Sequence, residues 1–149
     1  MARKVFFSFH YARDLWRVNI VRNSAVMEGV SAAGFHDARL WDETKNKGDA
    51  AIKKMIDKGL EGTTVTIVLI GSLTANRAYV SYEIERSVAR GNGILGIRIN
   101  NIKDRNGDTD SPGPIPDALI KAGAPIYNWE YGRLSEWIER AYNTANSHL

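Results

Sequence analysis

Along the chain, short continuous apolar runs alternate with stretches in which apolar residues recur at helical spacing. Lys4 to His10 reads KVFFSFH, a β-rich run closed by polar residues, and predicts a first strand buried on both faces that ends near His10. From Asp14 to about Gly29, Leu15, Val18, Val21 and Ala25 recur at three- and four-residue steps, joined by Val26, which predicts a helix with Asp14 as its N-cap. Gly34 to Leu40 (GFHDARL) reads as a second strand, and the polar WDETKNKGD after it as an exposed loop. Asp49 is placed to cap a second helix, whose apolar stripe is Ile52, Met55, Ile56 and Leu60 and whose exit is marked by Gly59 or Gly62.

Thr63 to Ile70 (TTVTIVLI) is β-branched at all but one position and is closed by Gly71, which predicts the strand at the centre of the sheet. Arg77 to Arg90 is expected to be a third helix ended by Gly91-Asn92-Gly93, followed by a strand over Ile94 to Ile99. Asn100 to Pro116 is rich in Asn, Asp, Gly and Pro and reads as a long surface loop. Ala124 to Trp129 is expected to be the last strand, and Leu134 to Ala145 the last helix, with Leu134, Trp137, Ile138 and Ala141 inward. Strands that alternate with helices imply right-handed crossovers and an open parallel sheet covered on both faces. The expected fold is therefore an α/β, flavodoxin-like three-layer sandwich with five parallel strands in the order 2-1-3-4-5. In that order a ligand crevice opens at the carboxyl ends of the first and third strands, where Phe9, His10 and Tyr11 face the segment Ser72 to Arg77.

Composition narrows the class. A length of 149 residues predicts one domain over residues 1–149, and apolar and charged fractions of 44% and 25% are ordinary for a globular chain. The absence of cysteine excludes disulfides, a thiolate nucleophile and cysteine metal sites. The apolar run at the start is too short for a signal peptide, and no stretch approaches a membrane span, so a cytoplasmic protein is expected. A formal charge of +3 without a basic run argues against nucleic acid as partner but suits an anionic small molecule. His10, His36 and His148 lack metal-ligand spacing, so no metal is expected. His10 alone lies at the crevice, either as a substrate contact or as a locally bonded strand-end residue.

Gly91-Asn92-Gly93-Ile94-Leu95-Gly96 matches the GxGxxG dinucleotide fingerprint literally, but it follows a helix and enters a strand, the reverse of what phosphate binding needs. It reads as a C-cap and turn. A phosphorylation receiver would need acidic residues after strands one and three, where FSFHY and IGSLT supply none, and His10-Tyr11-Ala12-Arg13 lacks the Ser, Thr and Gly of a flavin phosphate loop. The segment YVSYEIE, Tyr79 to Glu85, carries more information. With about 100° per residue, Val80, Ile84 and Val88 define the buried face, and Glu83 and Glu85 each fall about 100° from its centre on opposite flanks. Periodicity leaves the two equivalent.

RKVFFSFHYARD, VRN, FHDARLW, TTVTIVLIGS, RAYVSYEIERS and GNGILGIRI together resemble the TIR-like proteins of the Thoeris antiphage system, the ThsB type, over roughly Ala2 to Ile102. The resemblance implies an NAD-consuming enzyme that cleaves the nicotinamide–ribose bond and forms a cyclic ADP-ribose isomer as an immune signal. TIR enzymes place the catalytic glutamate four residues after an aromatic, usually tryptophan; here Tyr79 precedes Glu83 at that spacing and Glu85 does not match. The resemblance further implies that Asp37 is the acidic residue ending strand two, that Leu40 to Gly48 is a mobile loop shaping the NAD site, and that Ser8, Phe9, His10, Asp37, Trp41, Ser72 and Tyr79 contact substrate. NAD is then a substrate rather than a cofactor, self-association is expected to complete the site, and the product signals to a separate effector protein. A non-catalytic TIR adaptor and a nucleoside deoxyribosyltransferase-like enzyme stand as alternatives.

Overall fold

The computed structural model describes residues 3–31 and 43–147. Its elements run in the order β1 (Val5–Ser8), α1 (Tyr11–Met27), α2 (Asp49–Leu60), β2 (Val65–Ile70), a 3-10 turn (Thr74–Asn76), α3 (Ala78–Ala89), β3 (Gly93–Arg98), α4 (Asp117–Lys121), β4 (Ile126–Asn128) and α5 (Leu134–Ala145). The four described strands form one parallel sheet in the order β1-β2-β3-β4, with Val5 opposite Val65 and Val65 opposite Gly93. The expected second strand, Gly34 to Leu40, lies outside the described residues, so four strands stand where the sequence suggested five. Ser31, the last described residue before that segment, makes a parallel bridge to Lys4. Its amide and carbonyl bond Arg3 O and Val5 N, on the side of β1 away from β2.

Alternation along the strands sorts side chains to two faces. Val5 and Phe7, Val65, Ile67 and Leu69, and Leu95 and Ile97 pack in one layer with Val18, Val21 and Ala25 of α1 and Leu134, Trp137, Ile138 and Ala141 of α5. On the other face, Phe6 meets Ile52, Ile56 and Leu60 of α2, while Val68 and Ile70 meet Val80 and Ile84 of α3 and Leu119 of α4. Two further side chains of that second face, Ser8 and Thr66, are polar and wholly buried. They point at α3.

Several boundaries differ from the sequence expectations. The Asp14 amide already bonds the His10 carbonyl, so His10 is the N-cap of α1 and Asp14 is a helical residue, only 1% exposed, rather than the cap. Gly48, at φ 98°, is the N-cap of α2, which places Asp49 inside the first turn. The last strand spans three residues, and the short helix α4 carries no apolar periodicity long enough to announce it. Gly91, at φ 81°, turns the chain out of α3, as the C-cap reading required.

Gly93 opens β3 directly beneath α5: a Cβ there would collide with the Ala141 carbonyl, a backbone group of that helix. Gly93→Ala is accordingly expected to cost about 2 kcal/mol by overpacking and to lower the melting temperature by roughly 4–8 °C, which a thermal melt followed by circular dichroism checks.

Candidate functional site

Glu83 and Ser8 meet at the carboxyl end of β1. The Ser8 hydroxyl donates to Glu83 Oε1 at 2.7 Å in a buried contact between residues 75 apart in sequence. Polar side chains share this buried seam because each satisfies another. Ser87 Oγ donates to the Glu83 carbonyl at 2.7 Å, Thr66 Oγ1 donates to Ser87 Oγ at 2.7 Å, and Asn92 Nδ2 donates to Thr63 Oγ1 and Thr66 Oγ1. The stripe that α3 buries is therefore Val80, Glu83, Ile84 and Ser87. It is rotated by about 50° toward Glu83 from the stripe expected through Val80, Ile84 and Val88.

That rotation corrects two expectations. Val88 is 49% exposed, and Glu83, expected off the buried stripe, is only 8% exposed. Glu85 stays exposed on the far flank. Burial separates two glutamates that periodicity could not, and it also changes the chemistry of the one it selects. Desolvation pushes the Glu83 carboxyl up from 4.5 to about 8, against the smaller downward pull of the Ser8 hydrogen bond. A carboxyl group in that environment is poised to change charge when a cation approaches it.

Tyr79, one turn before Glu83, lays its ring on the Phe6, Ile52, Ile56 and Leu60 cluster, and its hydroxyl donates to Asp49 Oδ1 at 2.9 Å. The aromatic is thus fixed between α2 and α3. Phe9 goes elsewhere. It is half-buried against the layer of α1 and α5, its ring centroid 5.9 Å from that of Tyr11, and so it lies on the opposite face of β1 from Ser8. Asp37 and Trp41 lie outside the described residues, as does the start of the Leu40 to Gly48 loop, of which residues 43–45 are helical.

The remaining crevice residues belong to a second cluster. His10 is half-buried with Nδ1 sealed from solvent and without a hydrogen-bond partner among the described residues. Burial holds its pKa below the ordinary value and the nearby Arg77 adds to this, so the imidazole is neutral at neutral pH. Ser72 Oγ donates to Asp110 Oδ2 at 3.2 Å, and Arg13 Nη1 bonds the same oxygen at 2.6 Å. That arginine, ahead of its other partners, holds the Asp110 carboxyl down at about 2. Arg17 ties the same segment through Ile102 O at 2.7 Å and Asp108 O at 3.0 Å, so the loop expected from Asn100 to Pro116 is fastened over one side of the crevice. Asp14, whose carboxyl is raised by burial, packs against Gly71, where a Cβ would strike its carboxylate. Sequence reading passed over Arg13, Asp14 and Asp110. The signal was present in the acidic spacing of Asp104, Asp108 and Asp110, but only the fold shows which basic residues it faces.

A groove of about 750 Å³ lies at the other end of the sheet, lined by Gly93, Ala124, Tyr127 and Thr144 among others. Its one charged side chain, Arg140, already bonds Glu136, so the groove holds space without reactive groups. Among the described residues no group of His, Cys, Asp and Glu is arranged to hold a metal ion, and no helix is long and apolar enough to cross a membrane.

Residues 6–104 match the family model described as Thoeris protein ThsB, TIR-like domain. A protein of Bacillus cereus strain MSX-D12, named "Putative cyclic ADP-D-ribose synthase ThsB1", is 52% identical over 150 residues, an alignment covering 95% of this chain and 78% of the relative. The match takes in β1 with Ser8 and α3 with Glu83, the two elements whose side chains close on each other, and the chain belongs to the Thoeris ThsB family of TIR-like proteins.

Proposed function

We propose that this domain cleaves the bond between nicotinamide and ribose in NAD, with Glu83 as the catalytic carboxylate, and joins the ADP-ribosyl group to itself as a cyclic ADP-ribose isomer. The observation that carries this reading is the buried Glu83 carboxyl at the carboxyl end of β1, held by Ser8 and one helical turn after Tyr79. The name of the Bacillus cereus relative supports the cyclic product.

Heterolysis of the C1′–N bond leaves its electron pair on the ring nitrogen, so nicotinamide departs neutral and positive charge develops at C1′. A carboxylate beside that carbon stabilises the charge as it forms, in the manner of glycoside hydrolysis. Because nicotinamide needs no proton to leave, one carboxylate suffices without a second general acid. A hydroxyl or ring nitrogen of the same ADP-ribose then attacks C1′ and, as the attacking group loses a proton, gives the cyclic isomer; water in its place, likewise losing a proton, gives ADP-ribose. Tyr79 offers a flat face to the nicotinamide ring. His10, neutral, and Ser72 offer hydrogen bonds farther along the crevice. In this reading the domain needs no cofactor, self-association completes the pocket, and the small-molecule product activates a separate effector.

Incubation of the protein with NAD, with nicotinamide and the ADP-ribosyl products separated by chromatography, tests the assignment directly. Nicotinamide release with a product that differs from linear ADP-ribose is expected; intact NAD at high enzyme concentration would overturn it. The pH dependence provides a sharper signature. Since the working form is the carboxylate and the free group titrates near 8, kcat/KM should rise with pH up to about 8 and level off above it. A carboxylate with an ordinary pKa would instead give a flat profile above about pH 5.

A further inference from the structure

We propose that the cationic pyridinium ring of the substrate ionises Glu83 as it binds, so that each molecule entering the site expels one proton from the carboxyl group to solvent. The inference rests on the NAD-cleaving reading above and concerns how the site is switched on. Its basis is the surroundings of the carboxyl group. Glu83 is 8% exposed, and among the described residues its side chain has a single polar partner, the neutral hydroxyl of Ser8.

Charged groups on the neighbouring elements are turned to other partners. On α2, Asp49 pairs with Lys53 and Asp57 with Arg86, both on the outer surface. On α4, Asp117 and Lys121 line a groove with Glu85, on the other flank of α3. Arg77 stands exposed at the N-cap of α3, where its field falls on His10, and Asp14 is held between Arg13 and Gly71. The strand residues facing α3, Ser8 and Thr66, are uncharged. Among the described residues, then, no cation neutralises this buried carboxylate, and an ionised carboxyl group left in that state is strongly disfavoured.

A pyridinium ring brings the missing charge with it. An opposite charge within about 4–6 Å draws a carboxyl pKa down by one to three units or more. The buried carboxyl then releases its proton, and the ion pair replaces the neutral acid. When the C1′–N bond breaks, nicotinamide becomes neutral and the positive charge passes to C1′. As the attacking group bonds to C1′ it gives up a proton; the carboxylate, again without a partner, takes up that proton and the site resets, so that the one proton released per turnover is the one expelled on binding. A reduced dinucleotide has nearly the same shape but an uncharged ring, so it leaves the proton in place.

The test is a calorimetric titration of the 149-residue chain with the carbocyclic analogue of NAD, which keeps the pyridinium charge and cannot form the oxocarbenium ion. Comparing two buffers of different ionisation enthalpy counts the protons. About one proton per site should be released at pH 7 and almost none above pH 9.5, with affinity rising roughly tenfold per pH unit between about 6 and 8. Glu83→Gln should release none, and the reduced dinucleotide should release none from the natural protein. Binding of the analogue without proton release at pH 7 overturns the inference even if NAD is cleaved. Proton release with NAD left intact overturns the cleavage reading instead. Failure of the analogue to bind overturns both. In the free protein, a ¹³C resonance of the Glu83 carboxyl that titrates in the ordinary carboxylate range also overturns the inference, whatever the activity.

Discussion

Glu83→Gln is expected to lower NAD turnover by about a hundredfold or more, the range found when one electrostatic stabiliser of a transition state is removed. Glutamine keeps the size of the side chain and an oxygen that can accept from Ser8, so the seam between β1 and α3 stays closed while the charge is lost. Glu85→Gln, on the exposed flank two residues along, should leave turnover within about twofold and stability within about 0.5 kcal/mol. Rates of nicotinamide release from the two variants and the natural protein decide the matter. If Glu85→Gln abolished cleavage and Glu83→Gln preserved it, the buried carboxyl would not be the one that acts. Such a result would also break the aromatic-to-glutamate spacing.

The same Glu83→Gln substitution is expected to make the domain more stable, and increasingly so as the pH rises. In the unfolded chain the Glu83 carboxyl titrates near 4.5, whereas in the folded one it titrates near 8. Between those values the folded state holds a proton that the unfolded state has lost. The contribution of this group to stability is therefore complete below about pH 4.5 and is lost progressively as the pH rises through 8. Glutamine does not titrate. Relative to the natural protein the variant should gain little at pH 4.5 and about 3–5 kcal/mol by pH 8.5, a difference of roughly 10 °C in melting temperature for a chain of this size. Melts of both proteins at pH 4.5, 6.5 and 8.5 test this. Parallel melting curves at all three pH values would show that the carboxyl is not desolvated in the folded state. A residue whose removal both stabilises the fold and silences the reaction is what a strained functional position looks like.

The layers were legible in the sequence because their signals are redundant. Val65 to Ile70 is β-branched and continuous, and α5 matches its apolar spacing from Leu134 to Ala145. The boundaries that moved are those where a side chain could serve either of two positions: Asp14 has the chemistry of an N-cap, but the backbone turned at His10. Glu83 was legible only through the family's aromatic spacing, not through periodicity. Helical analysis takes polar residues as outward-facing, and here the apolar sheet carries two inward hydroxyls, Ser8 and Thr66, that make a polar stripe on α3 tolerable. The pattern was written in both partners: Glu83 and Ser87 are four apart on the helix, and each strand places one hydroxyl on the α3 side. Reading it requires knowing that β1 and β2 are neighbours. Phe9 illustrates the converse, since its place next to Ser8 in sequence turns it to the other face.

The distance in sequence between the two halves of the site matters when the chain is made. Parallel pairing sets Val5 opposite Val65, and the Ser8 hydroxyl finds its carboxyl only 75 residues later. At about 5–20 residues per second a ribosome needs roughly 4–15 s to travel that far, and β1 waits unpaired with β2 for most of it. Among the described residues VFFS has no strand partner before β2 beyond the bridge at Ser31, so during synthesis it is an apolar segment in need of protection. Until α3 has left the exit tunnel a nascent chain carries no assembled Ser8–Glu83 pair.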